Sequence, residues 1–382
     1  MRKICILTGA RSEYGHFKGV MREIKSHQNL ELSVIAAGMH LSEEFGSTIS
    51  EIAKDGFQIS EKVEMNPEGD TGYSMAQSIS KGIRGIADAL QKIKPDIFLV
   101  IGDRIEALSG AIASAYMNIP IAHVHGGDTT KAGLDESARH AITKFAHIHF
   151  PGTMKSAERI LKMGEDKWRI FNFGSPVIDA IVHAKLLSKD ELINKFQINL
   201  KEPFIIMLQH AVTTQVEDSG KQAVETLDAI KSLGLQTIII YPNSDAGGRK
   251  IIQEIKKYGS LPFIKTYKSL PHDHYLSLYK FASVLVGNSS SGIIESPSFK
   301  LPTVNIGIRQ EGRERSTNII DVPHDREKII NAIRKALYDK KFLKKVKSCK
   351  SPYGGGNSSE KIAGVLSKIK IDEKLLQKKI AY

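Results

Sequence analysis

Cysteine is almost missing from this chain. Cys5 and Cys349 are the only two in 382 residues, which excludes a disulfide framework and, at that separation, a clustered thiolate metal site. No apolar run approaches the ~20 residues that cross a bilayer, so no membrane span is expected. The N-terminal stretch Met1-Arg2-Lys3-Ile4-Cys5-Ile6-Leu7 reaches Thr8-Gly9-Ala10-Arg11 too early for a secretory leader, and a cytoplasmic location is expected. The full Gly-x-Gly-x-x-Gly spacing of dinucleotide-binding turns is missing, so nicotinamide binding has no support. Internal repeats, low-complexity segments and nucleic-acid-binding motifs are missing too.

What is present is the balance of a folded globular protein, with 41% hydrophobic and 25% charged residues. The length points to two domains with separate cores. The formal net charge of +12 invites a nucleic-acid reading, but residues 326–382 alone hold 16 Lys and Arg against 5 Asp and Glu. There the cations alternate with Ile329, Ile330, Ile333 and Leu337, then with Ile362, Leu366 and Ile369. That is the pattern of amphipathic helices with solvated basic faces, and no nucleic-acid partner is expected.

Short runs rich in Ile, Val and Leu recur at 3–7, 32–36, 97–101, 119–124, 148–150 and 170–173, and again at 204–208, 237–241, 284–286 and 303–306. Longer stretches of helical period separate them. Continuous apolar strands alternating with helices predict parallel sheets covered on both faces, an α/β class with two doubly wound domains. The division expected is 1–176 for the first domain, 177–202 for a connecting helix and linker, 203–364 for the second domain, and 365–382 for a final helix packing back.

Glycine and polar residues gather just after the strands, at the edge where open parallel sheets bind ligands. Gly9-Ala10-Arg11 is a strand-to-helix turn in which the backbone can approach an anion and Arg11 can donate to a phosphate. Asn288-Ser289-Ser290-Ser291-Gly292 offers successive hydroxyls and free N–H groups at a helix start, suited to a diphosphate, and Glu295 stands one turn on, where it could accept ribose hydroxyls. Asn243, Ser244 and Asp245 could reach a sugar or phosphate. Arg309 and Arg313, beyond the strand at 303–306, complete the nucleotide-binding set. For acid-base work the candidates are Asp103, His125, Asp128, Asp135, Glu136, His140 and His210, a carboxylate and imidazole set able to move protons near neutral pH. Three His-x-His pairs, at 123/125, 147/149 and 272/274, lack a third and fourth ligand at diagnostic spacing, so no metal is expected. No other cofactor is implied.

Taken in order, Gly-Ala-Arg-Ser-Glu-Tyr at 9–14, Gly-Asp-Arg-Ile-Glu-Ala at 102–107, His-Val-His-Gly-Gly-Asp at 123–128, Leu-Asp-Glu-Ser-Ala-Arg-His at 134–140, Pro-Asn-Ser-Asp-Ala-Gly at 242–247 and Asn-Ser-Ser-Ser-Gly-Ile-Ile-Glu at 288–295 resemble the UDP-N-acetylglucosamine 2-epimerase family, in its hydrolysing, sialic-acid-pathway branch. The resemblance implies a GT-B fold: two Rossmann-like domains, the active site in the cleft between them, sugar chemistry on the N-terminal side, UDP mostly on the C-terminal side, and a homodimer. It implies loss of UDP across C1–C2 of UDP-GlcNAc to 2-acetamidoglucal, then hydration to N-acetylmannosamine. A UDP- or GDP-linked N,N'-diacetylbacillosamine is the neighbouring substrate. A non-hydrolysing epimerase, and a binding-only regulator, are the alternatives. Matched to the motifs, Asp103, Asp135 and His210 take functional positions, and Arg11, Ser290, Ser291 and Glu295 match nucleotide contacts. Where branch members carry a catalytic Glu, this chain has His125, and their following Glu is Asp128, so the division of acid and base among Asp103, His125 and Asp135 stays open.

Overall fold

The computed structural model of the chain describes residues 1–130 and 133–382, so residues 131 and 132, between Asp128 and Asp135, lie outside the described residues. The apolar runs assemble into two parallel six-stranded sheets. The first contains β1 (Arg2–Thr8), β2 (Leu30–Ala37), β3 (Glu61–Val63), β4 (Ile97–Ile101), β5 (Ile121–Val124) and β6 (Ile148–Phe150), in the order β3-β2-β1-β4-β5-β6. The second contains β7 (Phe204–Leu208), β8 (Gln236–Ile240), β9 (Ile264–Tyr267), β10 (Val284–Gly287), β11 (Thr303–Ile306) and β12 (Ile319–Val322), in the order β12-β11-β10-β7-β8-β9.

Alternation along a strand divides each core in two. In β1, Ile4 and Ile6 face one layer of helices while Cys5 and Leu7 face the other. In β7, Ile205 and Met207 part from Ile206 and Leu208 in the same way. This is why the central strands read as unbroken apolar runs. Three strands escape that reading: β3 (Glu-Lys-Val), β9 (Ile-Lys-Thr-Tyr) and β12 (Ile-Ile-Asp-Val) are short edge strands with one half-exposed face. The apolar run at 170–173 forms a single bridge, Ile170 to His149, and not a strand.

Strand order reverses between β1 and β4 in the first sheet and between β10 and β7 in the second. At such a switch point the adjoining loops part and open a crevice at the carboxyl edge. Two helices link the sheets: Pro176–Val182, capped by the Ser175 hydroxyl, and Lys189–Phe196, which starts with a capping box between Ser188 and Glu191.

The chain then returns. Ile362, Ala363 and Leu366 of the helix Ser358–Lys368, together with Leu375, are buried in the core of the first sheet. Residues from 358 onward thus pack with the N-terminal half, although the pattern had assigned 358–364 to the second domain. Burial of Leu375 alone contributes about 1.5–3 kcal/mol, and Arg169 fastens the segment by donating to the carbonyls of Lys374 and Leu375.

Candidate active site

The carboxyl edges of the two sheets face each other across a cleft of about 540 Å³. From the first half come Arg11, Asp103, Arg104, His125, Asp128, Asp135 and Arg139, and from the second His210, Asn243, Asp245, the serines 289–291, Glu295, Arg309 and Arg313. Most of the expected site residues therefore line one cavity. Gly292 does not: an added Cβ there would meet Leu285 and Thr303 at 3.0 and 3.1 Å, so this glycine serves the packing of its short helix on the sheet.

On the first side, carboxylates are held by arginines. Asp103, just after β4, is paired with the buried Arg139, which also donates to Glu136 Oε2 and the Asp128 carbonyl at 3.0 Å each. Burial pushes the Asp103 carboxyl up, but the charges of Arg139, Arg313 and Arg309 outweigh it and hold the group below the usual carboxylate range. Asp135, in the first turn of the helix Leu134–Phe145, is pushed the other way, to about 6, by burial and by the charge of Asp103. Arg309 stands 3.5 Å from it across the cleft. Two neighbouring carboxyls with separated affinities are the requirement for one to stay ionised while the other exchanges a proton near neutrality.

His125 differs from the expectation of a free acid-base group. Its Nδ1 lies 3.1 Å from Asp128 Oδ2 and its Nε2 lies 2.7 Å from Ser175 Oγ, so both ring nitrogens are engaged. Its backbone is left-handed, φ +63°, a conformation β-carbon-bearing residues rarely adopt. Glu136 and His140 pair with each other at 3.1 Å and Glu136 binds Thr129, Thr130 and Arg139; neither lines the cleft. Their work is to shape the loop.

The second side presents neutral donors. His210, after β7, accepts the Asn243 N–H at Nδ1 (3.1 Å). Burial, with the charges of Arg309 and Arg104, holds its affinity well below the ordinary histidine value. The ring is thus neutral with its proton on Nε2, a donor for an anion. After β10, Gly287 has φ +136° and an added Cβ would sit 2.0 Å from the Leu208 carbonyl, so glycine is required for the turn. Asn288 then ties the loop to β7 through the backbone N–H and carbonyl of His210 (2.7 and 2.9 Å). Ser291 is held by Tyr275, Tyr279 and Ser289 at 2.5, 2.7 and 2.9 Å. Among the described residues, the Ser290 hydroxyl has no such bond and remains available to a ligand. Arg11 reaches across from the first half, stacks 4.8 Å over the Tyr275 ring and donates to the Leu270 carbonyl.

Several participants had no distinct signal in the sequence. His16 holds Glu295 Oε1 at 3.0 Å while Glu295 Oε2, fully buried, has no partner among the described residues. Arg104 binds Glu106 by two nitrogens and approaches Asp245 at 3.6 Å, tying the halves together. Beneath it Glu13 accepts the Gly9 N–H at 2.7 Å and is pushed up to about 8 by burial and the Glu106 charge. An apolar wall of Met39, Phe45, Met75, Ile79, Ile105 and Leu108 lines the same cleft. The motifs contained Arg104 and Arg139, and a buried arginine beside a catalytic-type carboxylate was the only available clue.

The His-x-His pairs have other work. His123 bonds the Gly102 carbonyl and Thr143, His149 bonds Glu165, and His272 begins a helix, not a strand. Among the described residues no three His, Cys, Asp or Glu side chains gather as a metal site.

The sequence profile of the UDP-N-acetylglucosamine 2-epimerase family matches residues 22–367. A Legionella pneumophila protein named UDP-N,N'-diacetylbacillosamine 2-epimerase (hydrolyzing) is 35% identical over 382 residues, covering 100% of both chains. A Neisseria meningitidis serogroup B UDP-N-acetylglucosamine 2-epimerase is 32% identical over 370 residues, 96% of this chain and 95% of that one. The crystal structure of UDP-GlcNAc 2-epimerase from Neisseria meningitidis bound to UDP-GlcNAc superposes with a TM-score of 0.82 at 19% identity, covering 97% and 100% of the two chains, a likeness of fold. The two facing Rossmann-like domains are accordingly a GT-B fold, and the chain belongs to the UDP-N-acetylglucosamine 2-epimerase family.

Proposed function

We propose that this protein is a hydrolysing 2-epimerase of a UDP-linked 2-acetamido sugar, taking UDP-GlcNAc and water to N-acetylmannosamine and UDP. The observation that carries the reading is a pair of neighbouring carboxyls with proton affinities driven apart, Asp103 down and Asp135 up to about 6, facing His210 and Arg309 across the cleft. In the first step a carboxylate removes the C2 proton, the C1–O bond breaks, and its electron pair leaves on UDP. In the second, water adds its oxygen to C1 and a proton returns to C2 on the opposite face. Asp135, poised at about 6, suits the exchanging group, and ionised Asp103, clamped by Arg139, suits the fixed charge that steers it. His210 Nε2–H, Ser290, Arg309 and Arg11 receive the diphosphate. Glu295, with Oε2 unpartnered, takes a ribose hydroxyl. Asn243, Asp245, Ser289, Ser291 and Arg313 complete the binding surface. By the resemblance, the protein works as a homodimer supplying sialic-acid-type sugar synthesis.

A second reading keeps the reaction and changes the sugar to UDP-N,N'-diacetylbacillosamine. The wall of Met39, Met75, Ile79, Ile105 and Leu108 favours it, because a second acetamido group and a methyl at C6 bring apolar surface that such a wall desolvates.

Proton NMR of the protein with each nucleotide sugar in D2O, without metal or nicotinamide, tests both. Free sugar inverted and deuterated at C2, with UDP, is the expected result. An intact epimerised nucleotide sugar would replace hydrolysis with re-addition of UDP, and no turnover of either substrate would overturn the reading. A kcat/KM ratio above tenfold between the two sugars assigns the substrate.

A further inference from the structure

Ser175, His125 and Asp128 stand in the order of a nucleophilic triad, yet the chemistry cannot be nucleophilic. Ser175 is fully buried and does not line the cleft, so its oxygen has no substrate to attack. What the three residues share is position. Ser175 opens the helix by which the chain leaves the first domain, and its backbone N–H donates to the carbonyl of Tyr353, on the segment by which the chain returns. His125 lies between that crossing and the cleft, with the Tyr353 ring 6.1 Å away.

The hydrogen positions follow from the partners. Asp128 is engaged at both oxygens, by His125 and Ser156, with Arg313 at 3.5 Å, and these hold its carboxyl ionised against the pull of burial. An ionised Asp128 only accepts, so His125 donates from Nδ1 and its Nε2 lone pair accepts the Ser175 hydroxyl. Ser175 Oγ keeps an acceptor site for the Val177 N–H that it caps, at 3.1 Å. The chain of bonds continues beyond the ring: Asp128 Oδ1 accepts from Ser156 at 2.7 Å, and Oδ2 lies 3.5 Å from Arg313, whose charge acts on Asp103.

We infer that Ser175 is a positioning residue for the reaction: from the domain crossing it fixes the tautomer of His125, which holds Asp128 and through it Arg313 at the cleft. His125 is then a neutral link that orients the arginine, not the group that takes the C2 proton. The inference rests on the hydrolysing reading above.

Beside the ring stand Asp128 and Tyr353, with Arg313 and Arg139 bonded to Asp128 and Glu314 bonded to Tyr353 through its carbonyl. None of them can replace the lost hydroxyl as a donor to Nε2 without leaving its own partner. Removing the hydroxyl therefore leaves Nε2 without a donor and the ring free to change tautomer and turn from Asp128.

Ser175→Gly is the variant of choice, because glycine begins a helix nearly as well as serine whereas alanine does not. Expected are a kcat about tenfold lower at pH 7 and a KM within about twofold, with Ser175→Thr recovering most of the rate. Nitrogen-15 spectra of histidine-labelled wild type should show His125 protonated at Nδ1. A Ser175→Gly enzyme that is merely less heat-stable, with wild-type kcat, would reduce Ser175 to a helix cap and overturn the inference, as would a wild-type His125 protonated at Nε2. Were wild type to turn over neither sugar, the reaction reading would fail by itself, and the tautomer would still decide whether Ser175 holds the ring.

Discussion

The two walls of the cleft are built from the same architecture and do opposite things. Each is the carboxyl edge of a parallel six-stranded sheet at its switch point. The first wall spends its loops on carboxyls whose affinities are driven apart, Asp103 down and Asp135 up to about 6, with Arg139 between them. The second fixes neutral groups: His210 is deprotonated by burial and nearby arginines, and Ser291 is locked by two tyrosines. A wall that exchanges protons must hold charge in low dielectric, which requires buried arginine partners. A wall that receives a leaving diphosphate needs donors that are already oriented. The difference teaches that a doubled fold can divide one reaction between its halves by loop chemistry alone.

Three substitutions test that division. The largest effect is expected on the first wall: Asp103→Asn should lower kcat by about 100-fold or more while leaving UDP affinity, read by calorimetry, within about threefold. Loss of both together would dissolve the division of labour. On the second wall, Ser290→Ala removes the serine hydroxyl of the loop that has no bond among the described residues; UDP affinity should weaken about tenfold, the worth of about one charge-assisted hydrogen bond, and the pH profile of kcat should not move. A shifted profile would assign the serine loop to proton transfer.

The smallest effect concerns stability. Asp135 binds its proton more tightly in the fold, at about 6 against an ordinary 3.8. Stability tied to that proton is complete below about pH 4 and is lost as the pH rises through 6. Asp135→Asn should therefore raise the melting temperature by a few degrees at pH 7, with the gain closing toward pH 4, at the cost of turnover. An unchanged melting temperature at pH 7 would mean that Arg309, 3.5 Å away, already neutralises the buried charge.

Much of this was legible before any coordinates. The central strands announced themselves because both faces of a parallel sheet are buried, so β1, β4, β7 and β10 show no alternation. The edge strands β3, β9 and β12 did not, since a half-solvated edge carries Lys, Glu and Asp that read as loop. Loop residues after strands were readable because glycine and polar groups there have little structural reason to cluster. His125 was readable as a site residue but not as an engaged one, because Ser175, fifty positions away, carries no sequence mark of its partner.

The sequence by itself determined that the chain is a doubly wound α/β protein and where its polar loops stand, because hydrophobic period and strand-end chemistry are local properties. Tertiary structure decided which charges meet: Arg139 with Asp103, His16 with Glu295, Arg104 with Asp245, and the return of Leu375 to the first core. A carboxyl's proton affinity depends on burial and on charges a few ångströms away. Those distances exist only once the two sheets face each other.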